Sequence, residues 1–350
     1  MSSAETVLVT GASGFIATHC LLKLASMGYK LRGTVRDLER TSSLDNILIN
    51  GLKKYYHSST ISVDWFAADL LSDDGWREAC DGCDYVLHVA APFSVEEPSD
   101  EDVYIKPIRD GTIRALKFAQ KAKVQRVVLT SSAVTMMGVV YDSNHDTGIV
   151  DAKDWTDPNS KKINTYIKAK TIGEKAAWDF FENQSEDSSI ELAVMCAGGI
   201  YGPSLTGNIS GFSLKGIHRM LTGHFKMSMI PPAAIPMSDV RDLAKLHVLA
   251  MTEEKANGKR LIPTTSRAYS YMEIAKILKE NGYSKVSTKK GPIFMIKLMG
   301  LFDNEVKGMV PIVGNYVSSD NTETKEIFDW EPIPFEKSIL DCARSIENQI

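Results

Sequence analysis

The chain has 350 residues, of which 43% are hydrophobic and 24% charged, with 24 Gly and 13 Pro. That is room for one large α/β domain and a smaller lobe, and it excludes a collagen, a coiled coil or a wholly disordered chain. A formal net charge of −4 excludes a global attraction to nucleic acid or anionic membrane, so any phosphate recognition must be local.

Met1 to Glu5 carry no basic n-region and no apolar h-region, so no secretory signal is expected and the chain reads as cytoplasmic. The first predicted strand runs from Thr6 to Thr10 and the first helix from Ile16 to Met27. Strands follow at Tyr29 to Arg36, Ser62 to Ala67 and Tyr85 to Ala90. A helix over Asp110 to Lys121 leads to a strand at Arg126 to Thr130. A second helix, Asn164 to Phe181, leads to a strand at Ile190 to Ala197. Near-continuous apolar strands separated by helices predict the α/β class, a Rossmann-type doubly wound parallel sheet covered on both faces.

Beyond Gly198 the pattern loosens, and residues 203–236, rich in Gly, Ser, Pro and Met, suit a substrate-facing lobe with long loops. Val240 to Met251 predicts one more helix packed on the sheet. The expected organisation is therefore a nucleotide-binding domain over 1–197 with a return segment at about 236–265. A smaller C-terminal substrate-binding lobe takes 198–235 and 266–350, with helices at Tyr271 to Glu280 and in the tail. The apolar stretch Ile293 to Phe302 contains Lys297 and is too short to span a bilayer; it is expected as a buried or amphipathic helix. Cys80 and Cys83 have CxxC spacing, but no second pair or His cluster accompanies them, so packing is expected and no metal site.

Directly after the first strand comes Gly11-Ala12-Ser13-Gly14-Phe15-Ile16-Ala17. Glycines at a strand-to-helix turn let a backbone approach a pyrophosphate, which then rests on the helix N-terminus. At the tip of the second strand stands Arg36, where a guanidinium can grip the 2′-phosphate of NADP. Asp37, next to it, would favour the 2′-hydroxyl of NAD. Asp69 and Leu70 follow the third strand, at a place where a carboxylate can meet an adenine amine. Ala90, Ala91 and Pro92 follow the fourth, where small side chains leave room for a cofactor. His88, inside an apolar strand, is expected to be a packed histidine.

Tyr166 and Lys170 stand at i and i+4, one turn apart on one helix face. A tyrosine ordinarily titrates near pH 10, and a neighbouring ammonium is expected to bring it towards working range. Thr130, Ser131 and Ser132 end the fifth strand, with Ser132 34 residues upstream of Tyr166. A strand end in a doubly wound sheet opens into the ligand crevice, so a hydroxyl there can meet the tyrosine across a carbonyl.

In these motifs the chain resembles the extended short-chain dehydrogenases/reductases, and among them the dihydroflavonol-4-reductase-like carbonyl and aldehyde reductases. VTGASGFIA, TVRD, AADL, HVAAPF, RVVLTSSA, YIKAKTIGEKAAWDF, GGIYGP and SDVRDLAKLHVLAM carry the likeness, which spans nearly the whole chain. The resemblance implies NADPH as cofactor and Ser132, Tyr166 and Lys170 as the catalytic triad. Ser132, which directly precedes the small Ala133 as the family's serine does, would hold the carbonyl oxygen, with Ser131 the competing candidate; Tyr166 would give the proton, and Lys170 would bind the nicotinamide ribose. Thr130, Gly199 and Ile200 would border the cofactor, and Phe93, Met136, Met137 and Tyr201 the substrate.

Two departures from the family pattern stand out. Ala197 replaces a usual proline, and Met137 stands five after the serine, where the plant enzymes carry a polar residue. Met136 and Met137 together predict an apolar, adaptable pocket for an aliphatic or aryl carbonyl compound. The alternatives are an NAD-dependent sugar-nucleotide epimerase or dehydratase, a hydroxysteroid-type dehydrogenase, and an NADP-sensing binding protein. Of the basic residues between Gly198 and Pro236, only Lys215, Arg219 and Lys226 could meet a diphosphate. The expected partner is a small carbonyl compound, with no nucleic acid and no membrane, and the chain is expected as a monomer or homodimer.

Overall fold

A computed structural model describes residues 4–58, 60–93, 96–142, 147–209 and 211–349. Its centre is a parallel sheet of seven strands. In chain order, the strands of that sheet and the short ones between them are β1 (Thr6–Val9), β2 (Lys30–Val35), β3 (Val63–Ala67), β4 (Tyr85–His88), β5 (Arg126–Ser132), the two-residue β6 (Ile149–Val150), β7 (Glu191–Ala197), β8 (Gly199–Tyr201), β9 (Ala234–Ile235), β10 (Met237–Asp239) and β11 (Lys259–Leu261); β6, β8, β9 and β10 lie outside the sheet. The central order is β11-β7-β5-β4-β1-β2-β3, while β8 pairs with β10 alongside it. In β1, Val7 and Val9 enter one apolar cluster and Leu8 the other. Both faces are therefore covered, which is why the strands read as unbroken apolar runs.

Helices α1 (Phe15–Ser26) and α2 (Thr41–Tyr56) cover one face. On the other lie α3 (Trp76–Cys80), α4 (Asp102–Lys121), α5 (Val134–Tyr141) and α6 (Thr165–Glu182). Glycines set the close approaches: a Cβ on Gly173 of α6 would stand 2.6 Å from Ile108 of α4. The lobe begins with α7 (Phe212–Thr222), and the chain then returns through α8 (Val240–Thr252), which packs on the α1 face, and β11. The lobe resumes with α9 (Tyr271–Glu280), α10 (Ile293–Met299), α11 (Asn304–Met309), α12 (Thr322–Phe328) and α13 (Phe335–Ser345). Tyr201, Leu214, Ile217, Ile274 and Ile339 form its own apolar core.

The structure corrects one expectation and narrows another, the buried or amphipathic helix. Phe328 and Trp330, assigned by sequence to the lobe, pack instead into the cluster under α1 and α8. No residue of α10 is buried, and Phe294, Leu298, Leu301 and Phe302 are exposed. This short helix rests against α11 and leaves most of its surface to solvent, so the apolar stretch is not a buried helix. All five cysteines are free and buried, Cys83 giving its thiol hydrogen to the Ala79 carbonyl at 3.3 Å. Among the described residues no helix is long and apolar enough to cross a membrane.

Candidate active site

In the sheet order, β1 is where the chain switches from building one way to building the other, and the loops leaving β1 and β4 meet there. Gly11 has φ +61°, and a Cβ on it would lie 3.0 Å from Ala90. Only glycine suits that place. The Thr10 hydroxyl accepts from the Val89 and Ala90 amides at 3.0 Å each and so fixes the Ala90-Ala91-Pro92 exit beside the glycine loop. His88 shares that hydroxyl at 2.9 Å; burial lowers its pKa to about 3, so it is a neutral, packed histidine. Gly14 caps α1 without a side chain, and no acidic residue stands in the first turn. The leading amides of α1, at Phe15 and Ile16, therefore stay available to an anion, with Ser13 in the turn before them.

Arg36 follows β2, is exposed, and makes no ion pair among the described residues. Asp37 is otherwise occupied: its carboxylate accepts from the Glu39 amide at 2.9 Å and pairs with Arg40 at 3.7 Å. Asp69 sits half-buried beyond β3 and accepts from the Leu71 amide at 2.8 Å, while Leu70 fills the space that Gly111 leaves open. A glycine loop too tight for a Cβ, an open helix N-terminus and an uncommitted arginine at the second strand's tip fit a phosphorylated dinucleotide.

The tyrosine helix is held from several sides. Asn164 caps α6 by accepting from the Ile167 amide at 2.8 Å, and it donates to the Gly308 carbonyl at 2.7 Å. The Glu97 carboxylate takes the Thr165 hydroxyl at 2.6 Å. Tyr166, half-buried in the first turn, meets the Phe93 ring edge-on at 4.8 Å and lies beside the Ser132 hydroxyl at the end of β5. Lys170, one turn on and buried, donates to the Thr130 carbonyl at 2.9 Å.

The two serines part company here. Ser131 gives its hydroxyl to Glu174 behind the strand, while Ser132 is left at the crevice with the phenol. The Thr130 hydroxyl turns the other way, to His247 at 2.7 Å, as alternation along a strand requires.

Burial raises the Tyr166 pKa, and the Ser132 hydrogen bond opposes it. Burial thus outweighs the lowering expected from the sequence. Burial also lowers Lys170 to about 8, against the pull of Glu174 and Cys196.

The sequence missed Glu174, which continues the series 166, 170, 174 along one helix face. Its buried carboxylate pairs with Arg260 at 2.6 Å and accepts from Thr135 at 2.8 Å, joining α6 to β5, α5 and β11.

The methionine pocket is a correction. Met136 and Met137 are 0% and 2% exposed and lie in the apolar core beside α4 and α6, because the first turn of α5 rotates them inward. Phe93, 42% exposed, does stand at the crevice. β8 carries Gly199 and Ile200, both half-buried, and Tyr201, which points into the lobe core with its hydroxyl beside Ser213. The three basic side chains of the lobe converge on one carboxylate. Arg219 meets Glu305 at 2.6 and 2.9 Å, Lys215 at 3.1 Å and Lys226 at 2.9 Å, and Lys226 also pairs with Asp303 at 2.7 Å.

Four likenesses bear on this site. A family model described as the NAD dependent epimerase/dehydratase family matches residues 7–262. Dihydroflavonol 4-reductase of Arabidopsis thaliana is 31% identical over 299 residues, 83% of this chain and 74% of its own. Cinnamoyl-CoA reductase 1 of Petunia hybrida is 33% identical over 263 residues, 74% and 72% of the two chains. The solved structure of yeast methylglyoxal/isovaleraldehyde reductase Gre2 complexed with NADPH matches over 98% of both chains, with a TM-score of 0.77 at 22% identity, a likeness of fold.

Proposed function

The chain belongs to the NAD dependent epimerase/dehydratase family, in the dihydroflavonol 4-reductase-like branch of the extended short-chain dehydrogenases/reductases, and on that premise we propose that it is an NADPH-dependent oxidoreductase reducing an aldehyde or ketone to the alcohol. The observation that carries this reading is the Tyr166 phenol beside the Ser132 hydroxyl at the sheet crevice, with the Lys170 ammonium one turn on. The reductase names of the plant relatives, and NADPH in the yeast structure's name, support it.

NADPH, when bound, supplies the hydride. Gly11, Ser13, Gly14, Phe15 and Ile16 would hold its pyrophosphate, Arg36 its 2′-phosphate, and Asp69 with Leu70 its adenine. Ala90, Ala91, Pro92, Thr130, Gly199 and Ile200 would line the way to the nicotinamide. Ser132 holds the carbonyl oxygen against the phenol. Tyr166 gives that oxygen a proton, and its raised pKa keeps the phenol protonated at neutral pH, the state a general acid needs. Lys170, anchored on Thr130, favours the phenolate left behind and would hold the ribose.

The test is a panel of aldehydes and ketones run with NADPH and NADH in parallel, following loss of the reduced cofactor. Turnover with NADPH is expected. Failure to reduce any member, or turnover of a UDP-sugar without net cofactor consumption, overturns the reading.

A further inference from the structure

Between α7, α9 and α11 the lobe encloses about 30 Å³, walled by Tyr201, Phe212, Met220, Met227, Tyr271 and Met309. That is room for one or two waters or a small end group. Two of its walls continue along the chain into the crevice. Tyr201 completes β8 after Gly199 and Ile200, and Met309 follows Gly308, whose carbonyl anchors the cap of the Tyr166 helix. Phe15 of the glycine loop packs on the same lobe core.

The polar groups around this space are nearly all engaged. Lys215 and Arg219 are held by Glu305, and the Tyr201 hydroxyl lies beside that of Ser213. Tyr271 is the exception: it is 5% exposed, and its hydroxyl has no hydrogen-bond partner among the described residues. A buried, unpaired hydroxyl in an otherwise apolar wall is destabilising, and phenylalanine would fill the same volume without that cost.

We propose that this space is a distal subsite for the carbonyl substrate, taking the far end of an apolar chain or ring that carries a neutral hydrogen-bond acceptor, with Tyr271 as its donor. The acceptor is neutral because the nearby cations are already paired, so an anionic group would find no free counter-charge. Burial keeps the Tyr271 phenol protonated and able to donate. The inference rests on the carbonyl-reduction reading and names the substrate class for that site.

The experiment compares Tyr271→Phe with the unaltered chain on 4-phenylbutan-2-one and 4-(4-methoxyphenyl)butan-2-one, with NADPH. The unaltered chain is expected to show a KM roughly three- to tenfold lower for the methoxy ketone, the worth of one neutral hydrogen bond. Tyr271→Phe should erase that preference while leaving kcat, the KM of the plain ketone and the KM for NADPH unchanged. Its Tm should stay level or rise. A preference that survives the substitution, an equal loss on both ketones, or a fall in Tm overturns the subsite, the last because the hydroxyl would then be holding a structural water. If neither ketone is reduced, the reduction reading fails for this class, and thermal shifts decide the subsite separately. A larger Tm rise from the methoxy than from the plain ketone, lost in Tyr271→Phe, supports it; equal or absent shifts overturn it.

Discussion

Replacing Arg36 by Ala tests the cofactor assignment at one side chain. Arg36 is exposed and uncommitted at the end of β2, so its loss breaks no described contact and should leave the fold intact. Two unit charges about 4 Å apart interact by about 1 kcal/mol in bulk water and about 4 kcal/mol at the effective dielectric of a protein surface. A charge-assisted hydrogen bond contributes about 1.5–3 kcal/mol, and exposure places Arg36 at the lower end. About 1.5–2 kcal/mol corresponds to a KM for NADPH raised about ten- to thirtyfold. The KM for NADH, which has no phosphate there, should move less than about twofold on the same reasoning. The assay is steady-state reduction of one ketone with each cofactor. Equal increases for both cofactors would refute the phosphate role. Asp37→Asn completes the test: the carboxylate is bound to its own turn and to Arg40, so removing its charge should change cofactor preference less than about threefold.

Tyr166→Phe should lower kcat by about a hundredfold or more, the contribution of a positioned general acid, while NADPH still binds as measured by fluorescence titration. Undiminished turnover would exclude the phenol as proton donor. Lys170, at about 8, holds its charge below that pH and loses it above, so the KM for NADPH should climb as pH passes 8. Lys170→Arg, charged throughout, should flatten that limb in a pH series. Glu174→Ala leaves Arg260 charged and buried without its partner, which should cost about 3–5 kcal/mol in urea unfolding. Glu174→Gln, which keeps hydrogen-bond acceptor capacity, should lose less. A loss below about 1 kcal/mol for the alanine variant would count against the buried pair as a structural tie.

The sheet was legible because its strands are apolar on both faces, and α6 because Asn164 caps a long periodic run. Other elements hid for stated reasons. The first turns of α4 were unreadable because Pro107 sits inside the helix, where proline ordinarily ends one. α2 buries Leu44, Leu48 and Leu52 along one stripe, but Ile47 and Ile49 off that stripe blur its period. The choice between Ser131 and Ser132 needed the face each presents, and alternation inverts with one residue of register. The methionine pocket failed for a related reason. Five residues beyond Ser132 is a distance along the chain, but α5 starts at Val134, and one helical turn carries Met136 and Met137 into the core.

The lobe's cations show how charge can be present in a segment yet absent from its chemistry. By sequence, Lys215, Arg219 and Lys226 were the residues that could grip a diphosphate. In the fold they surround Glu305, whose side chain is 8% exposed. Burial alone would raise that carboxyl, but hydrogen bonds from Arg219, Lys226 and Lys215 hold it at about 2. Turning one of these side chains towards a diphosphate would strip a partner from a carboxylate with little access to water, and removing a buried partner costs several kcal/mol. The cluster therefore ties α7 to α11, the two elements that flank the Tyr271 space, instead of offering positive charge to a ligand. Around the Tyr271 space, cations already held by Glu305 and a buried phenol without a partner favour an uncharged substrate over a nucleotide sugar.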